Sequence, residues 1–311
     1  MGKKKGGDET SVEELVSGVG FTQDEAIERL YKELTKTYGD GVIIPATTIV
    51  DKPKKCLSIS PAINLAVGGG VYQGSWIGLS GQPGCGKTSL ALSIARNAQK
   101  EGYPIFYLNV EARLKTMNLL GVEGLDIDKM HVINYVDDRS LTGEDFLCIC
   151  ENIITNVKNA VIIIDSVSSL CPTSEMAVEA TGSIRPTTPK LLSHFIRKNT
   201  GKVYINNIIV IMIHHVITNT SGYGAKWQIS DGVKVNFQAD IRLQAKGTPV
   251  DWMEGETQVG QIIEWEIAKA SNAASIGTAK NYLRYGVGID EAAETFNLCC
   301  DYGIVKKKGS W

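Results

Sequence analysis

The octet Gly81-Gln82-Pro83-Gly84-Cys85-Gly86-Lys87-Thr88 constrains this chain more than any other stretch, because it fits G-x-x-x-x-G-K-[ST] at every fixed position. The apolar run Trp76–Leu79 precedes it, and Thr88-Ser89-Leu90-Ala91-Leu92 opens a helical pattern after it. The motif therefore stands between a strand and a helix, which is the context it requires. Glycines let successive backbone N–H groups curl around an anion, and the helix start adds its dipole. Lys87 supplies a flexible cation for the β- and γ-phosphates of a nucleoside triphosphate. The Thr88 hydroxyl is suited to a magnesium ion bridging those oxygens. Residues Gly81 to Ser89 form the expected cradle; Cys85 occupies a variable position, so its thiol is incidental.

The remainder of the chain has a pattern that suits such a loop. Strand candidates Trp76–Leu79, Ile105–Val110, Val161–Ile164, Ile208–Ile213 and Ile262–Ala268 alternate with helical patterns at 87–101, 143–158 and 187–199. That alternation predicts an α/β fold with a mostly parallel, doubly wound sheet. Val161-Ile162-Ile163-Ile164 is apolar on both faces, as a central strand covered on both sides must be. Ahead of this body, residues 1–10 read as a flexible tail. Thr22-Gln23-Asp24-Glu25 is a capping box, and Ala26, Ile27, Leu30, Tyr31, Leu34 and Tyr38 then recur at helical spacing. Gly39-Asp40-Gly41 ends the helix, and Val42-Ile43-Ile44 is expected to begin a short strand. Lys52-Pro53-Lys54-Lys55 is a polar junction, so residues 1–50 read as a tail and helix-strand arm, and 51–311 as the main body.

Composition excludes several classes. Hydrophobic residues make up 43% and charged residues 21%, which is the balance of a globular chain and not a disordered one. No apolar run approaches the roughly 18 residues of a membrane span, and no hydrophobic stretch follows the basic start Met1-Gly2-Lys3-Lys4-Lys5, so no secretory signal is read. Thirty-two Lys+Arg against 34 Asp+Glu give a net charge of -2, so any nucleic-acid contact must be local. Seven cysteines without a C-x-x-C pair, and four histidines without zinc spacing, read as reduced thiols of a cytosolic protein.

A phosphate cradle needs a second acid for the metal and a group to orient water. Asp165, at the end of Val161–Ile164, fits the first role. Glu111, at the end of Ile105–Val110, fits the second. Ligands of open α/β sheets bind along the carboxyl edge, so both acids can face one nucleotide.

With these residues in hand, the chain from about residue 24 onward resembles the RecA family of strand-exchange recombinases, including its phage UvsX type. Ile59-Ser60-Pro61-Ala62-Ile63-Asn64-Leu65-Ala66-Val67-Gly68-Gly69-Gly70 is similar to the family's entry into its ATPase core, and Val161–Val167 to its metal-acid strand. Ala239-Asp240-Ile241-Arg242-Leu243 and Tyr285-Gly286-Val287-Gly288-Ile289-Asp290 match later landmarks in the same order. The resemblance implies ATP and Mg2+ as cofactors and a helical filament on single-stranded DNA with ATP between neighbouring subunits. It also implies pairing with homologous duplex DNA. The arm at 24–44 would then dock on the adjacent subunit.

Two stretches match the family's DNA-binding loops. The first, about 172–189, carries Arg185, with Lys190 and Arg197 on one face of the following helix. The second, about 216–231, carries Tyr223, Lys226 and Trp227, and Gly232 follows it; stacking and local cations are the ingredients of single-strand binding. His215, ending the strand Ile208–Ile213, matches the family's γ-phosphate sensor and leans towards the phage branch. Lys269 matches one of two lysines that the bacterial family extends to the neighbour's phosphates, and Ser271 replaces the other. The segment from Glu111 to Met117 is shorter than the family's and lacks its base-stacking tyrosine, leaving Met117 as the substitute. With Lys306-Lys307-Lys308-Gly309-Ser310-Trp311 as the last residues, the resemblance leads to the expectation that the separate C-terminal domain of bacterial RecA is missing.

The leading reading is an ATP-dependent DNA recombinase with DNA-stimulated ATPase activity, acting in the cytoplasm, or the host cytoplasm if phage-encoded. A ring-forming helicase would share Lys87, Asp165 and Glu111, but the arm and the long second loop favour a filament. A non-catalytic accessory paralogue is the third reading. The complete acid pair opposes it, while Ser271 and the shortened segment after Glu111 favour it.

Overall fold

The computed structural model describes residues 22–136, 140–178, 187–218, 227–229, 238–271, 273 and 277–306. The chain divides into two units, 1–53 and 54–311. In the first, α1 (Gln23–Tyr38) starts where expected: the Thr22 side chain accepts from the Glu25 N–H at 3.4 Å and Glu25 accepts from the Thr22 N–H at 2.9 Å. None of its residues is buried, so the apolar stripe with Ile27 and Leu30 is unspent within this unit. Val42-Ile43-Ile44 differs from the expected strand; it forms a bend, followed by α2 (Thr47–Asp51). An extended segment registers as a strand only against a ladder partner, and this unit has none among its described residues.

The second unit opens with β1 (Cys56–Leu57), α3 (Pro61–Val67) and β2 (Val71–Tyr72), where β1 and β2 pair antiparallel. Then come β3 (Trp76–Gly81), α4 (Lys87–Lys100), β4 (Ile105–Asn109), α5 (Thr116–Leu120), β5 (Met130–Ile133), α6 (Gly143–Asn156) and β6 (Val161–Asp165). The chain continues through α7 (Thr173–Met176), α8 (Thr188–Ile205), β7 (Ile209–Thr218), β8 (Trp227–Ile229), β9 (Ile241–Ala245) and β10 (Val250–Glu254). It closes with β11 (Thr257–Ala270), β12 (Thr278–Arg284), β13 (Gly288–Ile289) and α9 (Glu291–Asp301).

The main sheet runs β13-β12-β11-β9-β3-β7-β6-β4-β5, with β10 on β11 and β8 on β7. It is parallel from β9 through β5 and antiparallel beyond β9, so the α/β expectation holds with a mixed sheet. The candidate strand at 262–268 belongs to the antiparallel end, because short hairpin connections join β10 to β12 and leave no crossover helix.

Strand alternation splits the core into two layers. Ile77, Leu79, Tyr107, Ile163 and Ile211 pack on one face with Leu90, Ile94 and Ala98 of α4. Trp76, Leu108, Ile162, Ile164 and Met212 pack on the other with Phe146 and Ile154 of α6 and Leu192 and Phe195 of α8. Isoleucine can therefore fill successive positions of β6, because each neighbour in sequence is buried on the opposite side.

The two expected loops are narrower than their sequence limits. Thr173–Met176 is one helical turn, and Thr188-Pro189 begins α8 with proline in its first turn, where its missing N–H costs nothing. The β-branched Val216-Ile217-Thr218 extends β7, which pairs with β8 as a hairpin, Thr218 opposite Trp227.

Candidate nucleotide-binding and catalytic site

Four neighbouring strands end at one edge of the sheet, and each delivers a functional group there. At the end of β3 the chain turns into the glycine loop. Gly86 sits at φ +78°, and a Cβ there would stand 2.4 Å from Ile263 Cδ1, so the turn into α4 strongly favours glycine. No side chain caps α4, so its first N–H groups and dipole are available to an anion. The Lys87 ammonium is buried and donates to the carbonyls of Gly81 at 2.9 Å and Gln82 at 2.8 Å. Cys85 is buried beside it, and burial pushes its thiol pKa up despite the nearby ammonium, so it is not a reactive group.

From β6, Asp165 accepts a hydrogen bond from the Thr88 hydroxyl at 2.8 Å. The Tyr107 hydroxyl of β4 donates to the same carboxylate oxygen. Burial pushes the Asp165 carboxyl above its usual range, partly offset by the bonds from Tyr107 and Thr88. A hydroxyl and a carboxylate side by side next to a phosphate cradle are the oxygen donors that Mg2+ takes, the remainder coming from phosphate and water. The residues present fit the ion. Among the described residues no cluster of three acids, histidines or cysteines offers an all-protein metal cage.

Glu111 follows β4, and its backbone N–H donates to the Asp165 carbonyl at 3.2 Å. Its Oε1 accepts from the Ser166 hydroxyl at 2.6 Å and from Ser169 at 3.3 Å, and it contacts His215 Nε2. Arg113 lies 3.7 Å from Oε2. Burial raises the Glu111 pKa, but the hydrogen bonds from Ser166 and His215 and the charges of His215 and Arg113 outweigh it, holding the carboxyl below its ordinary value. Glu111 is thus an ionised carboxylate near neutral pH, held in place by its neighbours. On β7, His215 is fixed from behind, since its backbone N–H donates to Ser168 Oγ at 2.8 Å.

These groups line a cleft of about 300 Å³. Of the residues expected from sequence, Pro83, Gly84, Gly86, Lys87, Thr88, Ser89, Glu111, Asp165 and His215 line it, while Gly81 and Gln82 act through their carbonyls. Met117 does not; it is 83% exposed, and Leu114, Asn118 and Leu283 line that end instead. The turn of α5 carries Asn118 inward and Met117 outward, a distinction invisible without the local backbone. Sequence reasoning also missed Tyr107, Ser166 and Ser169. The hydroxyl run Ser166-Val167-Ser168-Ser169 directly after Asp165 was the available signal for two of them.

Lys269 lies on β11 and is not among the cleft-lining residues. Lys190 and Arg197 are exposed on α8, at the expected spacing. Arg185, Tyr223, Lys226 and Gly232 lie outside the described residues, and Trp227 is placed only by its backbone in β8.

Fold and cleft together define a phosphate-loop nucleotide-binding core, with Glu111, Asp165 and His215 on adjacent strand ends. Comparison with known proteins carries this further. The model of the RecA N-terminal domain matches residues 25–290. The chain is 30% identical over 291 residues to Protein RecA of Thermotoga sp. (strain RQ2), covering 92% of this chain and 79% of that one. It is 29% identical to Protein RecA of a Nitratiruptor species, covering 93% and 83%, and 27% identical to that of Acholeplasma laidlawii (strain PG-8A), covering 93% and 86%. The chain belongs to the RecA family. Its activity is ATP-dependent DNA recombination with DNA-dependent ATP hydrolysis, using ATP and Mg2+. No helix among the described residues is long and apolar enough to cross a membrane.

Proposed function

We propose that the chain assembles as a helical filament on single-stranded DNA and exchanges strands with a homologous duplex, ATP being held where two copies meet. The observation that carries this reading is the joining of Glu111, His215, Ser166 and Ser169 in one hydrogen-bonded group beside Thr88 and Asp165. The base of hydrolysis is thereby tied to the strand end that leads directly into the β7–β8 hairpin and its loop.

Gly84, Gly86 and the first turn of α4 bind the phosphates, and Lys87 balances their charge. Thr88 and Asp165 would hold Mg2+, which when bound would supply positive charge against the phosphate oxygens. Glu111 orients water for attack on the γ-phosphorus, and the bond to the bridging oxygen of ADP breaks. His215 offers its imidazole to the γ-phosphate and, through β7, couples nucleotide state to the second DNA loop. Lys269 reaches the phosphates of the neighbouring copy. Arg185, Lys190 and Arg197 contact DNA phosphates, and Tyr223, Lys226, Trp227 and Gly232 form the second contact. The exposed stripe of α1 docks on the next copy, which explains an amphipathic helix without a buried residue. The division into residues 1–50 as arm and 51–311 as core follows from this role. The histidine at 215 supports reading the chain as a member of the UvsX-like phage branch, which would act on DNA in the host cytoplasm.

Electron microscopy with ATP and single-stranded DNA, together with strand exchange on homologous and heterologous duplexes, tests the proposal. Open helices and homology-dependent exchange are expected. Closed rings, or a monomer hydrolysing ATP at the same rate without DNA, would overturn it.

A further inference from the structure

Strict alternation along β11 should bury Lys269. Ile263, Trp265 and Ile267 are buried on one face, and the next residue of that phase is Lys269. The ladder avoids this outcome by one extra residue. Ile267 pairs with Leu243, but Lys269 pairs with Arg242 and Ala270 with Ile241, so Ala268 is a bulge between them. A one-residue insertion reverses the phase of everything after it, and Lys269 leaves the core side half-buried instead of sealed.

The bulge is held by identifiable contacts. Arg242, on the paired strand β9, donates from Nη2 to the Ala268 carbonyl at 3.2 Å. Beyond Lys269 the strand end is pinned, since both the backbone N–H and the hydroxyl of Ser271 donate to the Asp240 carbonyl at 3.0 Å. Asp240 in turn accepts from the Trp76 N–H at 2.8 Å, anchoring the clamp to β3.

We infer that Arg242 is a positioning residue that stabilises the Ala268 bulge and so keeps Lys269 directed away from the core. The functional consequence rests on the reading that Lys269 serves the phosphates of a neighbouring copy. The placement of Lys269 by Arg242 does not depend on that reading.

The test therefore has two readouts. Lys269→Cys in the full chain, alkylated with maleimide and quantified at that position by mass spectrometry, reports accessibility directly. Adding Arg242→Gln should slow labelling at least tenfold, and Arg242→Lys, which keeps one donor, should restore part of it. Equal labelling with and without Arg242, in protein whose circular dichroism and melting are unchanged, would overturn the inference. In DNA-stimulated ATP hydrolysis, Lys269→Ala and Arg242→Gln should each lower kcat about tenfold with little change in KM, and the double variant should be no worse than Lys269→Ala. Multiplying effects would overturn the link between the two residues. Normal turnover in Lys269→Ala would instead sink the reading of Lys269 as a phosphate ligand, with the labelling result left to decide the role of Arg242.

Discussion

Glu294 on α9 is 1% exposed and offers a sharp test of how the second unit is held together. Oε1 accepts from the Ala62 N–H in the first turn of α3 at 2.6 Å, and Oε2 from Asn281 Nδ2 of β12 at 2.9 Å. Asn281 also donates to Ser60, the N-cap of α3, at 2.8 Å. One side chain thus ties a helix start, a strand and α9. Glu294→Ala strands two buried donors, at about 1–3 kcal/mol each, so a loss of roughly 2–5 kcal/mol is expected. Glu294→Gln keeps the volume and the acceptor for Ala62. Its amide takes the place of Oε2, and Asn281 must turn its own amide over so that Oδ1, buried in the parent with no hydrogen-bond partner, accepts from it and from the Ser60 hydroxyl. Burial pushes the Glu294 carboxyl up and outweighs the donors around it. A carboxyl whose folded pKa lies above its unfolded value near 4.3 carries no penalty below that pH. The penalty grows as pH rises through the unfolded value and is complete above the folded one, at about 1.4 kcal/mol per unit of displacement. Urea unfolding of both proteins from pH 4 to 8 should show the stability of Glu294→Gln, relative to the parent, rising with pH and then levelling. A flat or falling difference would refute the reasoning, and a loss under about 1 kcal/mol in Glu294→Ala would refute the hydrogen-bond account.

Three further outcomes follow from the cleft. Gly86→Ala combines about 1–2 kcal/mol of left-handed strain with the contact on Ile263, so nucleotide affinity by fluorescence titration should fall at least tenfold; an unchanged Kd would contradict the cradle geometry. Glu111→Gln should bind ATP normally and lose about 10²–10⁴ in turnover, whereas Lys87→Ala should lose binding and assembly; normal ATPase in the Glu111 variant would reject it as the base. Tyr107→Phe removes a hydroxyl from Asp165, a bond to a charged group of about 1.5–3 kcal/mol, so half-maximal ATPase should need more Mg2+. An unaltered Mg2+ titration would show that Tyr107 does not hold that carboxylate.

Where the site was legible, chemistry and local sequence coincide. The glycine loop needs residues close together in the chain, and Asp165 and Glu111 each terminate an apolar run, so strand ends announced both. Tyr107 was hidden because a tyrosine inside an apolar strand reads as core; only the pairing of β4 with β6 brings its hydroxyl to Asp165. The outward direction of Met117 was hidden for a related reason, since α5 is a single short turn and one residue of shift exchanges inside for outside. Val42-Ile43-Ile44 has the composition of a strand without a partner to pair with.

The order of residues alone determined the phosphate cradle, the α/β alternation and the buried central strand, because each depends on neighbours within a few positions and on steric rules that act locally. Tertiary structure decided that four strand ends share one edge, that Ser166, Ser169 and His215 converge on Glu111, and that a bulge turns Lys269 from the core. Those depend on strand order and register, which join groups as far apart as Glu111 and His215 and which no local periodicity encodes.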